Sequence, residues 1–158
     1  MTSRYHRDFI RALNEAAVEF LVVGGQAAIY HGVHRNTGDL DLLLRATPQN
    51  GRHLKSAFLK LGLQADDVAA EDFAGEVFLA IGFEPDAVDL FTKSPGLDFD
   101  KAFKRASLVS ETGLSYRLIS IEDLIRSKQH LKRTGEKGKL DEHDVLALKR
   151  ILRSRMKN

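Results

Sequence analysis

Residues 20–45 read Phe20-Leu-Val-Val-Gly-Gly-Gln-Ala-Ala-Ile-Tyr-His-Gly-Val-His-Arg-Asn-Thr-Gly-Asp-Leu-Asp-Leu-Leu-Leu-Arg45. An apolar run, Phe20 to Val23, closes on Gly24-Gly25; a second run, Leu40 to Leu44, is headed by alternate acids, Asp39 and Asp41. The first run is short and uninterrupted, as in a strand covered on both faces. Gln26 to Gly32 is read as a short helix, and Leu40 to Leu44 as the next strand. Asp39 and Asp41 lie two apart on that strand, so both carboxylates point to one face. Neighbouring carboxylates repel, and a cation relieves the repulsion. Oxygen-only ligands favour Mg2+ or Mn2+ over Zn2+.

Outward from this stretch, Phe9, Leu13, Ala16, Ala17 and Phe20 recur at helical spacing, which predicts a helix over Tyr5 to Glu19. Thr47-Pro48 opens a helix through Leu61. Ala65 to Asp72 reads as an acidic loop. Glu76 to Phe83 and Asp86 to Phe91 read as two strands of a hairpin turning around Pro85. Lys93 to Leu97 is a loop, Phe99 to Ala106 a short helix, and Leu108 to Ser110 and Tyr116 to Leu118 are expected as edge strands. Ser120-Ile121-Glu122-Asp123 starts a helix with a capping signature. Asp141 to Leu152 is a second helix, with polar Lys132 to Lys139 between them as a loop containing Gly135 and Gly138. The expected fold is α/β (α+β): a small mixed, twisted sheet flanked by helices and followed by a C-terminal helical pair that closes a cleft.

Asp89 stands alone among apolar residues in Ala-Val-Asp-Leu-Phe, mid-strand. If its strand pairs beside Leu40 to Leu44, Asp89 joins Asp39 and Asp41. Three carboxylates can hold two metal ions roughly 3.5–4 Å apart, one activating an attacking oxygen and one steadying departing phosphates. Gly24 and Gly25, having no Cβ, let the backbone approach a triphosphate at a helix start, where amide groups favour negative charge. On the helix after Ser120, the apolar stripe Ile121, Leu124, Ile125 continues onto Lys128. That lysine either snorkels to water or crosses the cleft to neutralise phosphates. Asp144, on the next helix, is placed to pair with it; alternatively, Asp141 and Asp144 only complement that helix's positive end.

The order Gly-Gly, short helix, Asp-x-Asp and a later acid resembles the nucleotidyltransferase superfamily related to DNA polymerase β. Val23-Gly24-Gly25 with Arg35-Asn36-Thr37-Gly38-Asp39-Leu40-Asp41-Leu42 is similar, more narrowly, to small nucleotidyltransferase-like proteins that include the toxin component of abortive-infection systems. The similarity extends to Ile119–Leu148. It implies a polymerase-β-like core that moves a nucleoside monophosphate from an NTP to an acceptor, releasing pyrophosphate. Gly24 and Gly25 would then contact the triphosphate, Asp39, Asp41 and Asp89 would bind the metals, and Asp89 would orient or deprotonate the acceptor hydroxyl. Arg35 would reach a phosphate or pin Asp39, Thr37 would hydrogen-bond structurally, and His31 is read as a packed or capping side chain rather than a metal ligand. The related proteins show a Lys, a basic loop and Lys-Asp; here Leu140 separates Lys139 from Asp141.

The acceptor is expected to be RNA or tRNA, with a cognate antitoxin as partner. A small hydroxylated molecule or a protein hydroxyl is the alternative acceptor, and a non-catalytic nucleotide-binding module the alternative role.

The chain of 158 residues, 43% apolar and 29% charged, is long enough for one domain, with a core over 1–118 and helices over 119–158. It has no Cys, which excludes disulfides, thiolate metal sites and a cysteine nucleophile. Charged residues near the N-terminus argue against a signal peptide, and no stretch approaches about 20 apolar residues, so a cytoplasmic protein without membrane contact is expected. The net charge of +2 is uneven: Arg126 to Asn158 carries 11 Lys and Arg against 4 Asp and Glu, where the preceding residues carry 13 against 18. That basic end is either a phosphate-facing surface or a solvated helix face.

Overall fold

A computed structural model describes residues 1 and 3–158. Its centre is a six-stranded mixed sheet in the order β3-β4-β2-β1-β6-β5. β1 (Phe20–Val23) pairs antiparallel with β2 (Asp39–Leu44), and β2 pairs parallel with β4 (Ala87–Phe91). β3 (Phe78–Ile81) forms the expected hairpin with β4. On the other side, β6 (Leu114–Leu118) pairs parallel with β1 and antiparallel with β5 (Ser107–Glu111). Of the two strands expected at an edge, only β5 is one. β6 sits inside the sheet, and its buried Leu114, Tyr116 and Leu118 alternate accordingly.

Helices cover both faces. α1 (Arg4–Glu15) packs on α3 (Pro48–Lys60) and on β6. α1 ends short of Glu19 because Ala17 adopts φ 59° and the Val18 amide bonds back to the Leu13 carbonyl, turning the chain into β1. The Thr47 hydroxyl caps α3 by accepting from the Asn50 amide at 3.1 Å. The stretch Ala65 to Asp72, read as a loop, runs into a 3₁₀ turn, Ala70–Ala74, that buries Phe73 against Gly51. Leu40, Leu42, Leu44, Val88 and Leu90 are buried in the sheet. Each such side chain contributes about 2 kcal/mol by leaving water.

α2 (Gly24–His31) packs on β1 and β2 and meets α5 (Ile121–Leu131) and α6 (Gly135–Met156). α4 (Phe99–Arg105) precedes β5. The connection between α5 and α6 differs from the expected eight-residue loop: only residues 132–134 lie outside helix, and α6 begins at Gly135. Gly138 is the reason a glycine reads here as a breaker but behaves as a helix residue. A Cβ at 138 would come within 2.2 Å of the Arg133 carbonyl oxygen, so glycine is what lets the helix start pass under the corner. Asp141 and Asp144 therefore lie well inside α6, away from its positive end. Among the described residues, no helix is long and apolar enough to cross a membrane.

Candidate active site

The sheet register decides the geometry. Asp41 is paired with Val23 on one side and with Asp89 on the other, and paired residues in a ladder project to the same face. Asp39, two residues before Asp41, shares that face. The three acids, up to fifty residues apart in the chain, thus line one cleft of about 690 Å3 together with Gly24, Gly25, Arg35 and Lys128.

β1 passes into α2 without an intervening residue. Gly24 makes this possible: its φ is 64°, and a Cβ there would sit 2.0 Å from Asp41 Oδ2. The start of α2 is therefore pressed against the Asp41 carboxyl, and no side chain caps its amides. Gly25 is similarly close to Arg35 and Thr37. The Thr37 hydroxyl accepts from the Asp39 amide at 3.3 Å, the structural role read for it.

Crowding shows in the carboxyls. Burial, then the charges of Asp89 and Asp39, push the Asp41 carboxyl up to about 6, against a smaller pull from Lys128 and Arg133. Burial and Asp39 also raise Asp89, while Lys137 and a hydrogen bond with Asp41 oppose them. A hard divalent cation would relieve this repulsion, and the donors are all oxygen. Among the described residues, no group of three or more His, Asp or Glu side chains is placed to hold a metal ion by itself. Mg2+ usually keeps water and phosphate among its ligands, so it does not require a cage closed by side chains alone.

The opposite wall is cationic and braced from behind. Asp144 is 0% exposed, and its carboxylate takes both Arg35 Nε and Nη2 at 2.9 Å and Lys128 Nζ at 2.9 Å. Burial works against the Asp144 charge, but the hydrogen bonds and charges of Arg35 and Lys128 outweigh it and hold the carboxyl below its ordinary value. Arg35 thus braces against Asp144, and no hydrogen bond joins it to Asp39 among the described residues. Lys128, its side chain only 4% exposed, reaches the cleft rather than bulk water. Asp141 lies 3.5 Å from Lys128 Nζ and is gripped by Arg133 through two hydrogen bonds. Three cations against two buried aspartates leave one positive charge in surplus on this wall. Asp144 itself stands behind the cleft rather than on its lining.

His31 ends α2, buried, with Nε2 2.8 Å from the Ile119 carbonyl oxygen; burial, above all, lowers its pKa. It is a packed neutral side chain, away from the acids. Sequence reasoning did not single out Arg133, Lys137, Phe78 or Glu84, which also line the cleft. The basic run Lys132–Lys139 was the available signal for the first two; nothing in the sequence marked the others.

No family model matches the chain, and no curated protein does. Solved structures do resemble it. An antigenic nucleotidyltransferase-like protein from Paracoccidioides brasiliensis superposes with a TM-score of 0.51 at 17% identity, covering 88% of this chain and 71% of that one. The antibiotic-resistance factor ANT(2'')-Ia gives a TM-score of 0.51 at 14% identity, covering 97% and 91%. The chain has a fold of the nucleotidyltransferase type.

Proposed function

We propose that this chain is a divalent-metal-dependent nucleotidyltransferase, a single domain whose sheet and C-terminal helices together form one active site. The observation that carries the reading is the register Val23–Asp41–Asp89, which sets two acids side by side against the glycine turn that opens α2. The triphosphate of an NTP lies against the Gly24 and Gly25 amides, with Arg35 and Lys128 offsetting its charge. Asp39, Asp41 and Asp89 would hold Mg2+ or Mn2+, which would supply charge to polarise the α-phosphate and neutralise the departing phosphates. Asp89 orients the acceptor hydroxyl. The acceptor oxygen bonds to the α-phosphorus, the bond from that phosphorus to the α,β-bridging oxygen breaks, pyrophosphate leaves, and the hydroxyl proton passes to Asp89.

RNA or tRNA is the acceptor in this reading, favoured by the basic C-terminal stretch. The resemblance of residues 23–42 to small nucleotidyltransferase-like proteins favours a toxin-like role with a cognate antitoxin, and a cytoplasmic location is part of the same proposal. The test is transfer of label from an α-labelled NTP to RNA, protein and small-molecule fractions, with Mg2+ and with chelator. Metal-dependent labelling that Asp41→Asn abolishes is expected. Label on protein alone would end the RNA assignment, and Mg2+–NTP binding indifferent to Asp41→Asn would end the metal role.

A further inference from the structure

The strand order gives the cleft a direction. Across the sheet, the sequence is β1 with its glycine turn, then β2 with Asp39 and Asp41, then β4 with Asp89, then β3 at the edge. In an in-line displacement the entering and leaving oxygens lie on opposite sides of the phosphorus. With the triphosphate at the β1 end, the acceptor must enter from β3. This step rests on the nucleotidyl-transfer reading.

At that end, Ala80 is the register partner of Asp89, and Phe78 the partner of Phe91. All four side chains share the face that carries the acids. Ala80 is small and exposed, so the side chain paired with Asp89 on this side does not cover it. Phe78 is 63% exposed, lines the cleft, and stacks on Phe91 with ring centroids 6.3 Å apart and planes inclined by 15°. A large aromatic held flat by a second ring and left in water is a ready stacking platform. Phe78 and Asp89 are diagonal neighbours, roughly 7–8 Å apart by ladder geometry. A ring lying on Phe78 therefore needs a spacer about one sugar wide to bring a hydroxyl to Asp89. β3 is a sheet edge, so the rest of a longer acceptor can run outward.

We infer that Phe78 is an acceptor-binding residue that stacks the base of a nucleoside whose ribose hydroxyl is presented to Asp89. Free nucleosides and the ends of RNA share this chemistry. The chain has no Trp, so Phe78→Trp introduces a single indole reporter at the platform. With Mg2+ and a saturating non-hydrolysable NTP present, adenosine and a short oligoribonucleotide should each quench its fluorescence saturably, and ribose should not. Tighter binding of the oligonucleotide would mark an RNA end as the source, and equal binding a free nucleoside. Phe78→Ala should raise the acceptor KM roughly 5- to 150-fold, Phe78→Tyr should restore it, and NTP affinity should be the same in both.

Absence of saturable quenching, or quenching by the NTP alone, overturns the assignment, as does a parallel loss of NTP affinity in Phe78→Ala. The parent reading fails separately: Asp41→Asn in the Phe78→Trp background would then leave Mg2+–NTP affinity intact whatever the nucleosides do.

Discussion

Replacing Asp41 by Asn should stabilise the metal-free protein at neutral pH, although it removes a central residue of the site. The Asp41 carboxyl ordinarily titrates near 3.8 and is pushed up to about 6 in the fold. A group whose folded pKa is raised in this way costs nothing while it is protonated in both states. The cost appears as pH climbs from about 4 to about 6, and is constant above that. Fully shielded, it would reach about 3 kcal/mol. Because the carboxyl opens on the cleft, screening reduces it to about 1–2 kcal/mol. For a chain of this size, each kcal/mol moves Tm by about 2–4 °C. In EDTA at pH 7.5, Asp41→Asn should therefore melt about 2–8 °C above the parent, followed by circular dichroism. The gap should shrink towards pH 4 and reverse with saturating Mg2+ and NTP, which only the parent binds well. A variant less stable than the parent at pH 7.5 in EDTA, or a gap independent of pH, would refute the idea that crowded carboxylates strain the empty site.

Asp144→Ala should cost about 3–5 kcal/mol in urea unfolding, because Arg35 and Lys128 lose their shared buried partner. The Asp144 carboxyl is held below its ordinary value, so its contribution is complete above about pH 4 and fades as pH falls through the folded value; a urea series in acid should show that loss in the parent and not in the variant. Gly24→Ala should leave circular dichroism recognisable but remove Mg2+–NTP affinity, measured by calorimetry, since the new methyl would displace the Asp41 carboxylate. Lys128→Met keeps the buried stem and removes the charge, and should lower the transfer rate by about 10²–10³-fold with the fold intact, in a single-turnover assay.

How much was legible beforehand follows from where each signal lives. Gly24-Gly25 and Asp39-x-Asp41 are local patterns, so their strands and their shared face could be read from spacing alone. Asp89 could be singled out because an ionisable residue in Ala-Val-Asp-Leu-Phe contradicts its neighbours, but its meeting with Asp41 depends on β2–β4 pairing, which is long-range. Lys128 was visible as a charge on an apolar stripe. The start of α6 was not: Gly135 and Gly138 carry the composition of a loop, and only the φ of 69° at the first and the close pass of the second beneath Arg133 explain them. The interior position of β6 was likewise hidden, because a parallel partner leaves no turn in the sequence. Phe78 looked like any strand aromatic until the register put it opposite Phe91.

Because β2 and β4 run side by side in the same direction, the chain between Arg45 and Asp86 is a detour through α3, the 3₁₀ turn and the edge strand β3 that brings it back about one strand spacing away, roughly 4.8 Å. The two ends of that detour are fixed by the ladder, while its length is not. Lengthening the stretch between Gly62 and Ala69 would alter the outer flank of the molecule and leave the distance between the Asp41 and Asp89 backbones unchanged. The three acids are in this way insulated from the segment between α3 and the 3₁₀ turn, and that segment is where new residues can be grafted at least cost to them.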